Sequence, residues 1–425
     1  MVGTDFGVDE RESEAKRYPH YEVVAVCAGR FFLQINSLIR VDLSSTRLNL
    51  RAGIARIGGM DFRARQRRVW KRRIGAGTAE LPVEALLITH LPDVRYLSGF
   101  TGSSGALVVI DGKATLYTDG RYTVQAKAEA VGTKVVIVTK SAVLTACEAL
   151  VTAGVTRCGF YAAQTTVASL EAMQKAVPAK LRKKMFEPVG SIVARLREVK
   201  DEDEIEIVRR AALVGCGLFD KALGYMRAGM TEVAVAAEME HAARLAGAER
   251  MSFDTIVASG ERSALPHGHA SLAKLPKRGF CTLDFGVVID GYCSDMTRTV
   301  HIGRALEDEL RVYDSVLEAQ EAAVAAIRPR VSVGEVDEAA RSVLRRAGLD
   351  QYFTHSTGHG VGLEIHEQPR LAANQKQLLE RGMVVTIEPG VYIPGRFGVR
   401  IEDMVLVTAT GGEVLTPSVK AWTQL

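Results

Sequence analysis

Asp284, Asp295, Glu388 and Glu402 stand in apolar, strand-forming stretches, where an ionised side chain needs a compensating partner. In residues 279–301, Asp290-Gly291 separates two β-rich runs and predicts a two-residue hairpin loop. With that loop, opposite positions sum to 581, so Asp284 faces Thr297 and Asp295 faces Gly286. The two aspartates then share a sheet face as diagonal neighbours, roughly 7 Å apart between backbones. Carboxylates that close repel each other and call for a counter-charge. Taken alone, the hairpin is explained equally well by one aspartate simply facing solvent.

A second acidic pair tips that balance. Glu388 ends an apolar run over residues 383–390, Glu402 lies in residues 398–408, and a tight connection through Pro394-Gly395 brings their strands together. Residues 355–367 add His355, His359 and His366, three of the nine histidines within 12 residues, among glycines that permit close backbone approach. One imidazole with four carboxylates is a hard, oxygen-rich donor set, suited to Mn²⁺ or Co²⁺, or to Zn²⁺ in a carboxylate-bridged pair. Two such ions about 3.5–4 Å apart activate water and polarise a carbonyl together. The glycine string lacks the spacing of a nucleotide loop, and Arg370 stands where an HExxH motif needs its second histidine.

These residues must be held by a scaffold. From Val83 onward strands and helices alternate: strands at 85–89, 105–110 and 114–118 around an Asp111-Gly112 turn, a helix at 122–131, a strand at 134–138, a helix at 142–154 and a strand at 158–161. This α/β unit ends near Glu187, and residues 196–203 read as a junction. Asp201 with Glu204 caps a helix that turns Ile205, Val208 and Ala212 to one side. Further helices follow Thr231, span 308–327, and start at the Ser332/Glu335 capping box, with β-rich segments around 280–301 and 383–408. Runs of strands packed by several helices imply an α+β second half.

Composition bounds the rest. At 425 residues the chain is long enough for two domains, and a net charge of +4 does not argue for nucleic acid or an acidic membrane. Residues 63–73 carry seven basic side chains with Trp70 as the aromatic among them, which reads as the solvated face of a first helix rather than a nucleic-acid patch. Six scattered cysteines without a CxxC pair indicate free, mostly buried thiols and a reducing compartment, and no stretch of about 18 apolar residues appears. The expected location is the cytoplasm. Residues 1–59 show no clean periodicity and are expected to be a disordered or upstream extension.

Together these residues resemble the creatinase/prolidase/aminopeptidase P/methionine aminopeptidase family. Its ligand order Asp, Asp, His, Glu, Glu falls on Asp284, Asp295, His359, Glu388 and Glu402 without substitution. His267, in Leu265-Pro-His-Gly268, resembles the histidine that contacts substrate in proline-directed members. His355 and His366 match the histidines flanking the metal-binding one, and Arg400 matches an arginine that supports the site. Residues 93–105 and Thr118-Asp-Gly-Arg-Tyr122 resemble a creatinase-type N-terminal domain.

The resemblance covers about residues 80–420. It implies an α+β pita-bread catalytic domain over 191–425, preceded by a creatinase-type α/β domain over 60–190. It also implies two divalent ions per subunit, Mn²⁺ first among them, a hydroxide held between them as nucleophile, and a homodimer. Glu388 would take the proton of the attacking water and His267 would help hold the oxyanion. His366 would orient the intermediate, and His355 would shape the pocket for the proline ring. The substrate implied is a proline-containing peptide cut before proline. The Gly-Phe-Thr-Gly-Ser-Ser-Gly and Thr-Asp-Gly-Arg-Tyr segments favour Xaa-Pro aminopeptidase, with Xaa-Pro dipeptidase as the alternative. A non-catalytic peptide-binding module on the same fold is the reading from another class, and the intact ligand set argues against it.

Overall fold

The computed structural model describes residues 59–73 and 83–425, so the extension expected over 1–59 lies outside the described residues except for Gly59. Helix α1 (Phe62–Arg72) starts at Asp61, whose carboxylate accepts from the Ala64 amide at 2.8 Å. Its basic run is only partly the solvated face expected. Arg65 is 1% exposed and ion-paired to Asp201 and Glu204 at 2.6 and 3.0 Å. Those partners lie far along the chain, which is why local spacing read Arg65 as one more surface charge.

A six-stranded sheet follows, built from β1 (Ala85–Ile88), β2 (Ala106–Ile110), β3 (Lys113–Asp119), β4 (Lys134–Val138), β5 (Cys158–Tyr161) and β6 (Phe186–Val189) in the order β4-β3-β2-β1-β5-β6. The hairpin β2–β3 turns at Asp111-Gly112, both in the left-handed region at φ 48° and 69°, as that dipeptide predicts. Helices α2 (Leu91–Ser98), α3 (Thr123–Glu129), α4 (Ala142–Thr152) and α5 (Val167–Lys175) connect the strands. Helix α2 is absent from the sequence reading, although Pro92 in its first turn and Gly99 at its left-handed C-cap (φ 81°) mark its ends. It is eight residues long, its N-cap His90 makes no capping hydrogen bond, and its periodicity is too short to read.

The junction contains a short helix, α6 (Ile192–Arg197), and leads into α7 (Glu202–Tyr225), which begins in the expected Asp201/Glu204 capping box. The rest alternates helices with strands: α8 (Glu232–Leu245), β7 (Arg250–Met251), β8 (Ile256–Ser259), β9 (Gly279–Phe285), β10 (Val287–Ile289), β11 (Tyr292–Cys293), β12 (Met296–Ile302), α9 (Glu307–Ala326) and α10 (Val333–Arg346). Seven further strands close the chain: β13 (Gly358–Gly360), β14 (Glu367–Leu371), β15 (Val384–Ile387), β16 (Gly390–Ile393), β17 (Phe397–Arg400), β18 (Asp403–Val407) and β19 (Gly412–Val414).

Two cores hold this half. Phe219 of α7 and Met239 of α8 pack with Leu283 of β9 and Val300 of β12. Val316 of α9 and Val343 of α10 pack with Ile387 of β15 and Val399 of β17. Each core thus buries a helix pair against one long hairpin, and the two hairpins bring the acidic residues inside. Among the described residues, no helix is long and apolar enough to cross a membrane. Cys147, Cys158, Cys216, Cys281 and Cys293 are free and buried.

Candidate active site

The first hairpin has the register its turn dictates. Asp284 pairs with Thr297, Val288 with Cys293, and Asp290 and Gly291 turn the chain at φ 45° and 79°. The second hairpin runs from β15 through β18, with Ile387 opposite Asp403 and Gly390 opposite Arg400. Continuing that register sets Glu388 directly across from Glu402, with the turn at Gly395 (φ 69°). The two hairpins are tied together where the Glu402 amide donates to the Thr297 carbonyl at 3.1 Å and the Thr297 hydroxyl donates to Glu402 Oε2 at 2.6 Å. All four acidic residues therefore meet.

His359 enters from β13, between β14 and β15. This approach requires its glycine neighbours: a Cβ on Gly358 would lie 1.9 Å from the Thr386 carbonyl oxygen, and one on Gly360 would lie 2.2 Å from that of Gln368. His359 Nδ1 sits 3.0 Å from the Gly360 carbonyl, which places the proton on Nδ1 and leaves Nε2 as a free donor atom. That Nε2 lies 3.6 Å from Asp295 Oδ2 and 3.4 Å from Glu388 Oε1. Burial lowers the His359 pKa to about 4, so the ring is neutral and fit to ligate.

Candidate ligand atoms of Asp295, His359 and Glu402 lie within 4.8 Å of one another. Burial, and then repulsion from neighbouring carboxylates, pushes Asp295 and Glu402 well above the usual carboxylate range. Glu388 rises for the same first reason, against the pull of Arg400. Asp284 Oδ1 and Glu402 Oε1 are buried without a hydrogen-bond partner. Orphaned carboxylate oxygens in a cluster of four acids, facing a neutral imidazole, fit divalent cations.

The resident counter-charge is Arg400. Its Nη2 donates to Asp284 Oδ2 at 2.6 Å, its Nη1 to the Tyr392 hydroxyl at 2.6 Å and to the Pro266 carbonyl at 3.1 Å, and its Nε to Thr297 at 3.1 Å. Tyr392 stands 2.9 Å from His355 Nε2, while His355 Nδ1 faces the Ser356 carbonyl at 2.9 Å. The Nδ1 contact makes Nε2 the acceptor, so Tyr392 donates to His355. Burial lowers the His355 pKa to about 4 and keeps that ring neutral. His355 thus reaches Asp284 through Tyr392 and Arg400.

His366 stacks edge-on against His359, with ring centroids 4.5 Å apart, and its pKa is lowered, first by burial. His267 is exposed and lines the same cavity, of about 820 Å³, as His355, His359 and His366. Tyr161, the last residue of β5, and Gln164 just beyond it form part of the wall. Sequence reasoning missed Tyr392, which a hairpin reading places opposite Gly398 but does not mark, and Thr297, named only as the partner of Asp284. It also missed Arg197, Glu364 and Glu367, which have no motif of their own.

A fold with two helix-backed hairpins, and a ligand set of this geometry between them, defines a metallopeptidase of pita-bread architecture. The chain belongs to metallopeptidase family M24. That family's model matches residues 206–409, and the creatinase/prolidase N-terminal domain matches residues 72–199. The chain is 36% identical to the Xaa-Pro dipeptidase of Pyrococcus horikoshii over 79% of its own length and 93% of the relative's. A solved Xaa-Pro dipeptidase from Bacillus anthracis superposes with a TM-score of 0.82 at 38% identity, covering 86% of this chain and all of that one. The X-Pro aminopeptidase of Thermotoga maritima superposes with a TM-score of 0.76 at 34% identity, covering 84% and 99%. Family membership implies divalent metal ions, and Asp295, His359 and Glu402 offer ligand atoms close enough together to hold one, with Asp284 and Glu388 lining the same cavity.

Proposed function

We propose that the chain is a metal-dependent Xaa-Pro dipeptidase, with Mn²⁺ as the ion it uses. The observation that carries this reading is Arg370. Three arginines line the cavity, and two are committed: Arg197 to carboxylates, Arg400 to Asp284 and Tyr392. Arg370 lines the cavity, is exposed, and has no carboxylate partner among the described residues. A cation standing free in a peptide cavity suits the terminal carboxylate of a dipeptide, which a longer peptide does not place there. The dipeptidases of Pyrococcus horikoshii and Bacillus anthracis point the same way, and they shift the preference from Xaa-Pro aminopeptidase to its alternative. The segments that favoured aminopeptidase P lie at 99–105 and 118–122, outside the cavity lining. Their glycines serve local packing instead, for a Cβ on Gly102 would lie 2.2 Å from the Phe100 ring. Aminopeptidase activity remains the second reading, favoured by the size of the cavity and by the likeness to the Thermotoga maritima enzyme.

In this reading the bound ions supply Lewis acidity and lower the pKa of water. Glu388, beside His359, accepts the proton that the attacking water releases. Arg400 holds Asp284 in its ligating orientation through the 2.6 Å contact. His366 and His267 face the cavity and donate to the substrate carbonyl as charge develops on its oxygen. His355, fixed by Tyr392, borders the proline side. A homodimer, on the family resemblance, and a cytoplasmic location, on the scattered free thiols, complete the proposal. The test is hydrolysis of Xaa-Pro dipeptides and Xaa-Pro-Yaa tripeptides by metal-stripped protein, with and without Mn²⁺. Mn²⁺-dependent cleavage confined to the dipeptide is expected, and cleavage of the tripeptide at a comparable rate replaces this reading with aminopeptidase P.

A further inference from the structure

A second set of charges lies behind the cavity wall, where α2 and α6 meet the loop that follows His359. Arg197, 2% exposed, donates from Nη1 to Asp93 Oδ1 at 2.7 Å, and from Nη2 to Glu364 Oε2 at 2.7 Å and Glu367 Oε1 at 2.5 Å. Lys200 Nζ adds a contact to Glu367 Oε2 at 3.2 Å. His90 closes the ring of charges, with Nδ1 3.2 Å from Asp93 Oδ2 and Nε2 3.2 Å from Glu364 Oε1. Three cations thus meet three carboxylates drawn from α2 with its cap, α6 with the residues after it, and the loop.

The loop is folded tightly over this cluster. The Glu364 amide donates to Glu367 Oε1 at 3.1 Å, the Gly362 amide donates to the Glu364 carbonyl, and a Cβ on Gly362 would lie 2.7 Å from the Glu367 carboxylate. Between Glu364 and Glu367 sits His366, and three residues beyond Glu367 comes Arg370. Another lining residue is touched as well: the His90 ring meets that of Tyr161 edge-on, with centroids 6.3 Å apart. Tyr161, Arg197, Glu364, His366 and Arg370 all line the cavity, while His90 and Asp93 stand one layer back.

We infer that His90 and Asp93 are positioning residues, which act through Arg197 and Glu364 to hold the His366–Arg370 wall against Tyr161 and so set how much peptide the cavity admits beyond proline. This deepens the dipeptidase reading and rests on it for the identity of the substrate. The N-terminal half then determines substrate length without supplying a reacting group. Each charged group in this network has an ion-pair partner, although His90 Nδ1 and Arg197 Nε make no hydrogen bond, and removing one member frees the groups it held.

The test compares wild type, His90→Ala, His90→Gln and Asp93→Asn as full-length, metal-loaded protein. In His90→Ala, KM for an Xaa-Pro dipeptide is expected to rise about tenfold with kcat within about twofold, the pattern of lost ground-state positioning. The dipeptide-to-tripeptide ratio of kcat/KM is expected to fall about fivefold or more, and His90→Gln, which keeps a donor toward Glu364, is expected to recover part of both. A role in stability alone lowers Tm and leaves KM and this ratio unchanged, and that result overturns the inference. Hydrogen exchange without substrate gives a readout independent of activity. Residues 361–371 should exchange faster in His90→Ala and Asp93→Asn while α9 is unaffected, and unaltered exchange at 361–371 also overturns it. If the wild type cleaves no Xaa-Pro peptide, the dipeptidase reading fails, and the exchange data still decide whether His90 positions the loop.

Discussion

The two charged clusters differ in what they lack. Around His359, four carboxylates share one guanidinium, and two buried carboxylate oxygens have no hydrogen-bond partner. Around Arg197, three carboxylates meet Arg197, Lys200 and His90 at 2.5–3.2 Å. The first set is incomplete until cations arrive; the second is neutral by itself when His90 is protonated. Both clusters leave buried atoms without a hydrogen bond, His90 Nδ1 and Arg197 Nε in the second, so the difference is one of charge. A cluster that needs outside charge is suited to hold metal and do chemistry, whereas one that balances its own charge is suited to hold elements together.

The contrast is sharpest when one member of each is removed. Glu388→Ala is expected to cut kcat/KM by about a thousandfold or more while circular dichroism and the Tm of the metal-free protein stay near wild type, because Glu388 acts on the reaction and sits in a cluster already overcharged. Retained activity would sink the role given to Glu388. Metal removal from the wild type should likewise abolish turnover and lower Tm, since a ligand bound only by the folded state stabilises it.

Arg197→Met should reverse that pattern. With Asp93, Glu364 and Glu367 left around Lys200 and His90, breaking a buried network of this kind costs about 3–5 kcal/mol, so Tm falls by about 5 °C or more. Thermal unfolding of the metal-loaded protein measures it, and an unchanged Tm would show that the cluster is not held by Arg197.

The smallest effect is in pH. Burial works against the charged form of His90, but Asp93 and Glu364 outweigh it and raise the pKa to about 9, with Arg197 and the Tyr161 ring as the other close neighbours. A raised folded-state pKa contributes stability that is fully present below the unfolded value of about 6.5 and is lost as pH rises through about 9. The Tm difference between wild type and His90→Gln should therefore be a few degrees at pH 6.5 and close to nothing above pH 10. A difference that stays constant with pH would mean that His90 is not charged in the fold.

Much of the catalytic half is legible in the sequence because its signals are local. Asp290-Gly291 and Pro394-Gly395 are turn sequences, and a turn sets the register of every pair above it, so the turn alone puts Asp284 and Asp295 on one face. Asp201 with Glu204, and Ser332 with Glu335, are capping boxes whose partners are three residues apart. The sequence by itself determined these hairpins and helix starts, since each depends on neighbours in the chain, whereas the choice of His359 among three histidines came from the family resemblance. Only the tertiary structure decided which charges are buried and whom they meet. Arg65 finds Asp201 across 136 positions, Arg197 finds Glu367 across 170, and Thr297 finds Glu402 across 105. The energy of such a contact comes from desolvation and distance, and neither exists until the chain has brought the two groups out of water together.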